Sequence, residues 1–97
     1  MERRQQIKLW LKQVLEKNLS GVSFNAFIFG SQANKATLSR SDIDLGIKSD
    51  TEITNVQLAG ILSDLEQLPM LYKIDLVNFN LVDEKFSYIA LQNCESL

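Results

Sequence analysis

The sequence contains no histidine and one cysteine, Cys94. The first absence removes Ser-His-Asp and Cys-His catalysis and any histidine-ligated metal. The second removes an internal disulfide and a cysteine-based zinc site. Any metal must then be a hard ion on oxygen ligands, Mg²⁺ or Mn²⁺ first. Proline occurs once, at Pro69, and glycine four times. No low-complexity segment, internal repeat or interdomain linker is present. No apolar run approaches the roughly 20 residues needed to cross a bilayer. Arg3 and Arg4 could open a signal peptide, but Lys8 and Lys12 interrupt the apolar stretch that should follow. A cytoplasmic protein that does not engage a membrane is expected. The formal net charge of -2 argues against a broad nucleic-acid surface, which needs a basic face.

What is present is 97 residues with 45% apolar composition, the size of one small globular domain spanning residues 1–97. Such a domain has little surplus core and often needs a partner or ligand to complete itself.

Residues 2 to 18 carry Ile7, Trp10, Leu11, Val14 and Leu15 at helical spacing, with Lys8, Lys12, Gln13 and Lys17 on the wet side. Trp10 fits the core stripe. Asn18 to Gly21 stop this helix, Gly21 supplying a left-handed turn. Phe24 to Phe29 predicts a buried strand. Gly30 and Ser31 end it, and residues 32 to 41 read as a loop with at most one helical turn, over Gln32 to Lys35. Ile43, Leu45 and Ile47 alternate with Asp42, Asp44 and Gly46 in a second strand. Thr54 and Gln57 form a capping-box pattern. A helix follows, carrying Leu58, Ile61, Leu62, Leu65 and Leu68, and Pro69 terminates it. Lys73 to Phe79 predicts a third strand, with Ile74 and Leu76 on one face and Asp75 and Val77 on the other. Asp83 can cap a final short helix containing Phe86, Ile89 and Ala90. The order helix, strand, loop, strand, helix, strand, helix predicts an α+β or layered α/β fold, a small sheet flanked by helices.

The chemistry concentrates on three carboxylates and one turn. Side chains at i and i+2 of a strand share a face. With Ile43, Leu45 and Ile47 in the core, Asp42 and Asp44 lie together on the opposite face, about 7 Å apart along the strand. Aspartate is unfavourable in strands, and here it occurs twice in register. A cation between the two relieves their repulsion. Read alone, they are solvated residues of a half-exposed strand. Asp75, flanked by Ile74 and Leu76, completes a triad if its strand lies beside the Asp42–Asp44 strand. Read alone, it is an edge-strand aspartate paired with Lys73.

Gly30 lets a backbone approach a phosphate closely. Backbone N–H groups and the Ser31 hydroxyl can then donate to phosphate oxygens. A lone Gly-Ser pair is usually an ordinary turn, and no Walker A loop occurs. Lys35 and Arg40, between the two half-motifs, are either solvated loop charges or cations that neutralise a triphosphate in the transition state.

Gly30-Ser31, ten residues, then Asp42-x-Asp44 and a later apolar-flanked Asp75 resembles the polymerase-β-like nucleotidyltransferase superfamily, and the short length resembles its minimal nucleotidyltransferase branch. The resemblance spans nearly the whole chain in element order. It implies a mixed sheet with flanking helices and two Mg²⁺ ions. By this resemblance Asp42 and Asp44 bind the metals and the triphosphate. Asp75 binds the catalytic metal and helps activate the acceptor hydroxyl, and Gly30 and Ser31 hold the phosphates. Many relatives read Gly-Ser-x-Ala-x-Gly; here Lys35 stands where the second glycine would be, and Gln32 where an arginine is usual. The minimal branch implies an antitoxin that transfers AMP from ATP to a tyrosine of a small helical HEPN-type toxin.

So short a chain has almost no room for an acceptor domain, so a partner protein is expected to present the acceptor, and a homodimer is a further option. Two other readings remain: a non-catalytic module that neutralises its partner by occlusion, and an enzyme that modifies a small molecule such as an aminoglycoside.

Overall fold

The computed structural model describes residues 3–30, 43–69 and 73–97. Its elements run α1 (Arg3–Asn18), β1 (Phe24–Phe29), β2 (Ile43–Ser49), α2 (Asn55–Glu66), β3 (Ile74–Asn78), α3 (Glu84–Leu91) and β4 (Cys94–Ser96). The four strands form one sheet in the order β3-β2-β1-β4. β1 is antiparallel to both β2 and β4, whereas β2 and β3 are parallel. The sheet is therefore mixed, as expected.

One face of the sheet carries the main core. Ile28, Ile43, Leu45 and Ile47 pack there with Ile7, Leu11, Leu15 and Leu19 of the first helix and its exit, and with Ile61 and Leu65 of α2. The helical and two-residue periods meet on this face, which is why two amphipathic helices and alternating strands fold onto each other. Trp10 lies partly buried against the same cluster. On the opposite face Phe27, Phe29 and Phe79 form a second, smaller cluster, joined by Val77 and Ala90. Phe79 meets Phe27 and Phe29 edge-on, with ring centroids 4.8 and 5.2 Å apart, the arrangement their quadrupoles favour.

Local signals set the element ends. Thr54 Oγ1 accepts from the Gln57 backbone N–H at 3.1 Å and Gln57 Oε1 accepts from the Thr54 N–H at 2.8 Å, closing the predicted capping box. Asp83 Oδ1 accepts from the Phe86 N–H at 2.7 Å, capping α3 as expected. Gly21 turns the chain after α1 with φ 81°. α2 ends at Glu66, so Leu68 packs against the core from beyond the helix.

Two features depart from the sequence reading. β4 was not expected. It pairs with β1 through Phe27↔Ser96, Ile28↔Glu95 and Phe29↔Cys94. Lys8 is not simply on the wet side either: its Nζ donates to Glu95 Oε2 at 2.7 Å. Arg4, itself buried, makes an ion pair with the other oxygen of Glu95. The Arg4 guanidinium first, and Lys8 after it, hold the Glu95 carboxyl down at about 2. A nonlocal charge contact thus ties the sheet's outer strand to α1.

Candidate active site

The connectivity brings one end of the sheet together. The C-terminal end of β1, the N-terminal ends of β2 and β3 and the N-terminal end of β4 all lie there, because β1 runs antiparallel to β2 and β4 and β2 runs parallel to β3. Gly30, Asp44, Asp75 and Asn93 fall at this end. Asp44 pairs in register with Phe29 on one side and with Asp75 on the other.

The face is fixed by the neighbours. A side chain at Gly46 would run into the Phe27 and Phe79 rings, so Gly46 looks onto the second cluster, and Asp44 two residues earlier shares that face. Val77 belongs to the same cluster, which puts Asp75 there too. Asp44 and Asp75 are thus neighbouring carboxylates on the face away from α1 and α2, as their alternation with Ile43, Leu45, Ile74 and Leu76 predicts. Both are partly exposed.

Gly30 meets this pair at close range. It has φ 76°, and a Cβ built on it would lie 2.5 Å from Asp44 Oδ2. Glycine suits this position for its left-handed backbone, and any side chain there would require the Asp44 carboxylate to move.

Asp75 keeps part of its plainer reading as well. Among the described residues β3 is an edge strand, and Lys73 Nζ lies 4.0 Å from Asp75 Oδ1. Lys73 is 74% exposed, so solvent screens this contact and it contributes little. The register with Asp44 is the stronger constraint on Asp75.

The expected site residues Ser31, Lys35, Arg40 and Asp42 lie outside the described residues, as does the proposed helical turn after Gly30. Among the described residues no group of three or more His, Cys, Asp or Glu side chains could hold a metal ion. Asp44 and Asp75 are two members of the expected triad. Two adjacent carboxylates with no nitrogen or sulfur ligand fit a hard divalent cation such as Mg²⁺, whose charge offsets their mutual repulsion.

Sequence reasoning missed the wall beside this site. Phe29, Gly30, Phe86, Ile89, Ala90 and Asn93 line a cleft of about 500 Å³. Phe86 and Ile89 lie on the expected final helix, and they are 43% and 59% exposed. The signal lay in α3 itself, which is too short and too apolar on its Phe86–Ile89 side to be a fully solvated helix.

No helix among the described residues is long and apolar enough to cross a membrane.

Comparison with known proteins agrees with this architecture. No curated protein matches the sequence. Among solved structures, a mutant of the toxin–antitoxin complex MntA–HpeT contains a chain 13% identical, with a TM-score of 0.72, covering 92% of this chain and 70% of that one. A toxin–antitoxin structure with AMP-PNP contains a chain 16% identical, also with a TM-score of 0.72, at the same coverage of 92% and 70%. A third similar chain comes from a tri-AMPylated Shewanella oneidensis HEPN toxin in complex with an MNT antitoxin, at 15% identity and a TM-score of 0.66, covering 96% of this chain and 70% of that one. At these identities the likeness is one of fold. The family model described as Polymerase beta, Nucleotidyltransferase matches residues 10–97. That span contains the Gly30 turn and both carboxylate strands, and with it this chain belongs to the polymerase beta nucleotidyltransferase family.

Proposed function

We propose that this chain transfers AMP from ATP to a hydroxyl group of a partner protein, a tyrosine of a small helical HEPN-type toxin, and so acts as an antitoxin. The observation that carries the reading is the in-register pair Asp44 and Asp75 beside Gly30 at one end of the sheet. Support for the partner comes from the similar chains, found in toxin–antitoxin complexes, one with AMP-PNP and one with an AMPylated HEPN toxin.

In this reading Gly30 and Ser31 hold the phosphates by backbone and hydroxyl donors. Lys35 and Arg40 offset the triphosphate charge. Asp42, Asp44 and Asp75 would hold two Mg²⁺ ions. When bound, these supply charge stabilisation at the phosphates and lower the pKa of the acceptor hydroxyl. Asp75 receives the acceptor's proton. The acceptor oxygen bonds to the α-phosphorus, the α–β phosphoanhydride bond breaks, and pyrophosphate leaves. Among the described residues β3 is the edge strand, and in this reading the acceptor from another chain approaches Asp75 from that side. The whole chain serves as one minimal nucleotidyltransferase domain acting in the cytoplasm.

The test is incubation with ATP labelled at the α-phosphate, Mg²⁺ and a co-purified HEPN-type partner. Label should pass to the partner, and Asp42→Asn should abolish the transfer. Neutralisation of the partner by an unlabelled complex, unaffected by Asp42→Asn, would replace catalysis with occlusion.

A further inference from the structure

The sheet face away from α1 and α2 carries two features at once. Asp44 and Asp75 lie on it, and α3 packs over its aromatic cluster through Phe86 and Ala90. α3 also carries Tyr88, the one tyrosine among the described residues. Tyr88 is 69% exposed, and among the described residues no hydrogen bond engages its hydroxyl. Tyr72, the other tyrosine of the sequence, lies outside the described residues.

We propose, resting on the function given above, that Tyr88 is itself an acceptor: one copy of this chain transfers AMP to Tyr88 of another copy. The Tyr88 oxygen bonds to the α-phosphorus of ATP. The α–β phosphoanhydride bond breaks and pyrophosphate leaves. The phenolic proton passes to Asp75 of the copy that holds ATP. The product is a tyrosine joined to adenosine through a phosphodiester, with one new negative charge on α3.

Helix geometry decides that two copies are needed. Residues advance by about 100° around an α-helix, which puts Tyr88 roughly 150° from the middle of the side formed by Phe86, Ile89 and Ala90. That side lines the cleft with Gly30. Tyr88 is therefore turned away from the site of its own chain. A second copy meeting this face can supply the site instead. In a two-fold contact residue i meets j and j meets i, so each α3 reaches the other copy's carboxylates. Ile89 and Leu91 beside Tyr88 are 59% and 42% exposed, apolar surface of the kind a protein contact covers.

Incubation of the whole chain with Mg²⁺ and ATP labelled at the α-phosphate, without and with the HEPN-type partner, tests this. Without the partner the wild type should label itself, at a rate per molecule that rises with protein concentration. Tyr88→Phe, at an exposed position, should melt as wild type does and lose self-labelling while still labelling the partner. Mixed with Asp42→Asn, which keeps Tyr88, the Tyr88→Phe chain should pass label to it. Self-labelling that persists in Tyr88→Phe would overturn the assignment of the acceptor. A labelled partner beside an unlabelled wild-type chain would overturn self-modification and leave the proposed function standing. Loss of partner labelling in Tyr88→Phe would also overturn it, by placing Tyr88 in the transfer machinery. A wild type that labels itself but a mixture that transfers nothing would overturn transfer between copies. No label on either protein would overturn the function and this inference together.

Discussion

Asp44 on β2 and Asp75 on β3 are direct register partners across the one parallel strand pair of the described sheet. Parallel strands run about 4.8 Å apart, and like charges placed opposite each other destabilise a sheet. Lys73, the ion-pair partner of Asp75, is largely solvated, so screening leaves that contact weak. On the proposed reading a bound cation offsets the repulsion between the two carboxylates. Asp75→Asn should leave metal-free stability unchanged or raise it by about 0.2–1 kcal/mol, while lowering nucleotidyl transfer by about 10²–10⁴-fold. Urea unfolding without metal, beside a label-transfer assay, checks both. A variant that is clearly less stable and fully active would give Asp75 a structural role.

Gly30→Ala introduces a Cβ 2.5 Å from Asp44 Oδ2 at a φ of 76°. The left-handed backbone alone costs about 1–2 kcal/mol, and the carboxylate must also move. The expected outcome is a loss of stability of that order together with a loss of Mg·ATP binding. Chemical denaturation and a binding titration read the two separately. Retained affinity would mean that the carboxylate position is not critical.

Gly46 serves packing instead. A Cβ there would lie 2.5 Å from the Phe27 ring and 2.6 Å from the Phe79 ring. Both rings are buried against each other and have little room to yield. Gly46→Ala should therefore cost about 1–3 kcal/mol by overpacking, and Gly46→Val more. Denaturant midpoints measure this; a neutral Gly46→Ala would show that the aromatic cluster is loosely packed.

The Arg4–Glu95–Lys8 contact predicts a specific acid response. The Glu95 carboxyl is lowered from 4.5 to about 2 in the folded chain. Between those values the unfolded chain binds the proton and the folded chain does not. The stability this group contributes is thus fully present above about pH 5 and is lost as pH falls toward 2. Glu95→Gln should be less stable than wild type at neutral pH, and the gap should close on acidification through that window. Melts at pH 7, 4 and 3 would show it; a gap independent of pH would mean that the ion pair contributes nothing.

Most of the sheet and its helices were legible because their signals are local. The Phe24–Phe29 run coincides with β1, the Thr54 and Asp83 caps open α2 and α3, and the alternation around Asp44 and Asp75 assigns their face correctly. β4 was not legible. Cys94, Glu95 and Ser96 have no period of their own and become a strand only because β1 offers its edge and Arg4, ninety-one residues away, holds Glu95. Lys8 was misjudged for the same reason, its partner being distant in sequence. At the site, the spacing from Gly30 to Asp44 carried the recognition. That the Asp44 carboxylate fills the space a side chain at Gly30 would take, and that Phe86 and Ile89 line a cleft with Gly30, depends on how antiparallel and parallel pairings converge at one sheet end, which no local pattern encodes.

The most direct test of the account is the melting temperature with ATP, with and without Mg²⁺, for wild type and Asp44→Asn. Ligand at about a hundred times its dissociation constant adds roughly 2.7 kcal/mol, a rise of roughly ten degrees or more for a domain of this size. The account predicts that rise for wild type only when Mg²⁺ is present, and none for Asp44→Asn. A rise of equal size in the variant, or one indifferent to Mg²⁺, would contradict the assignment of the carboxylate pair as the nucleotide site.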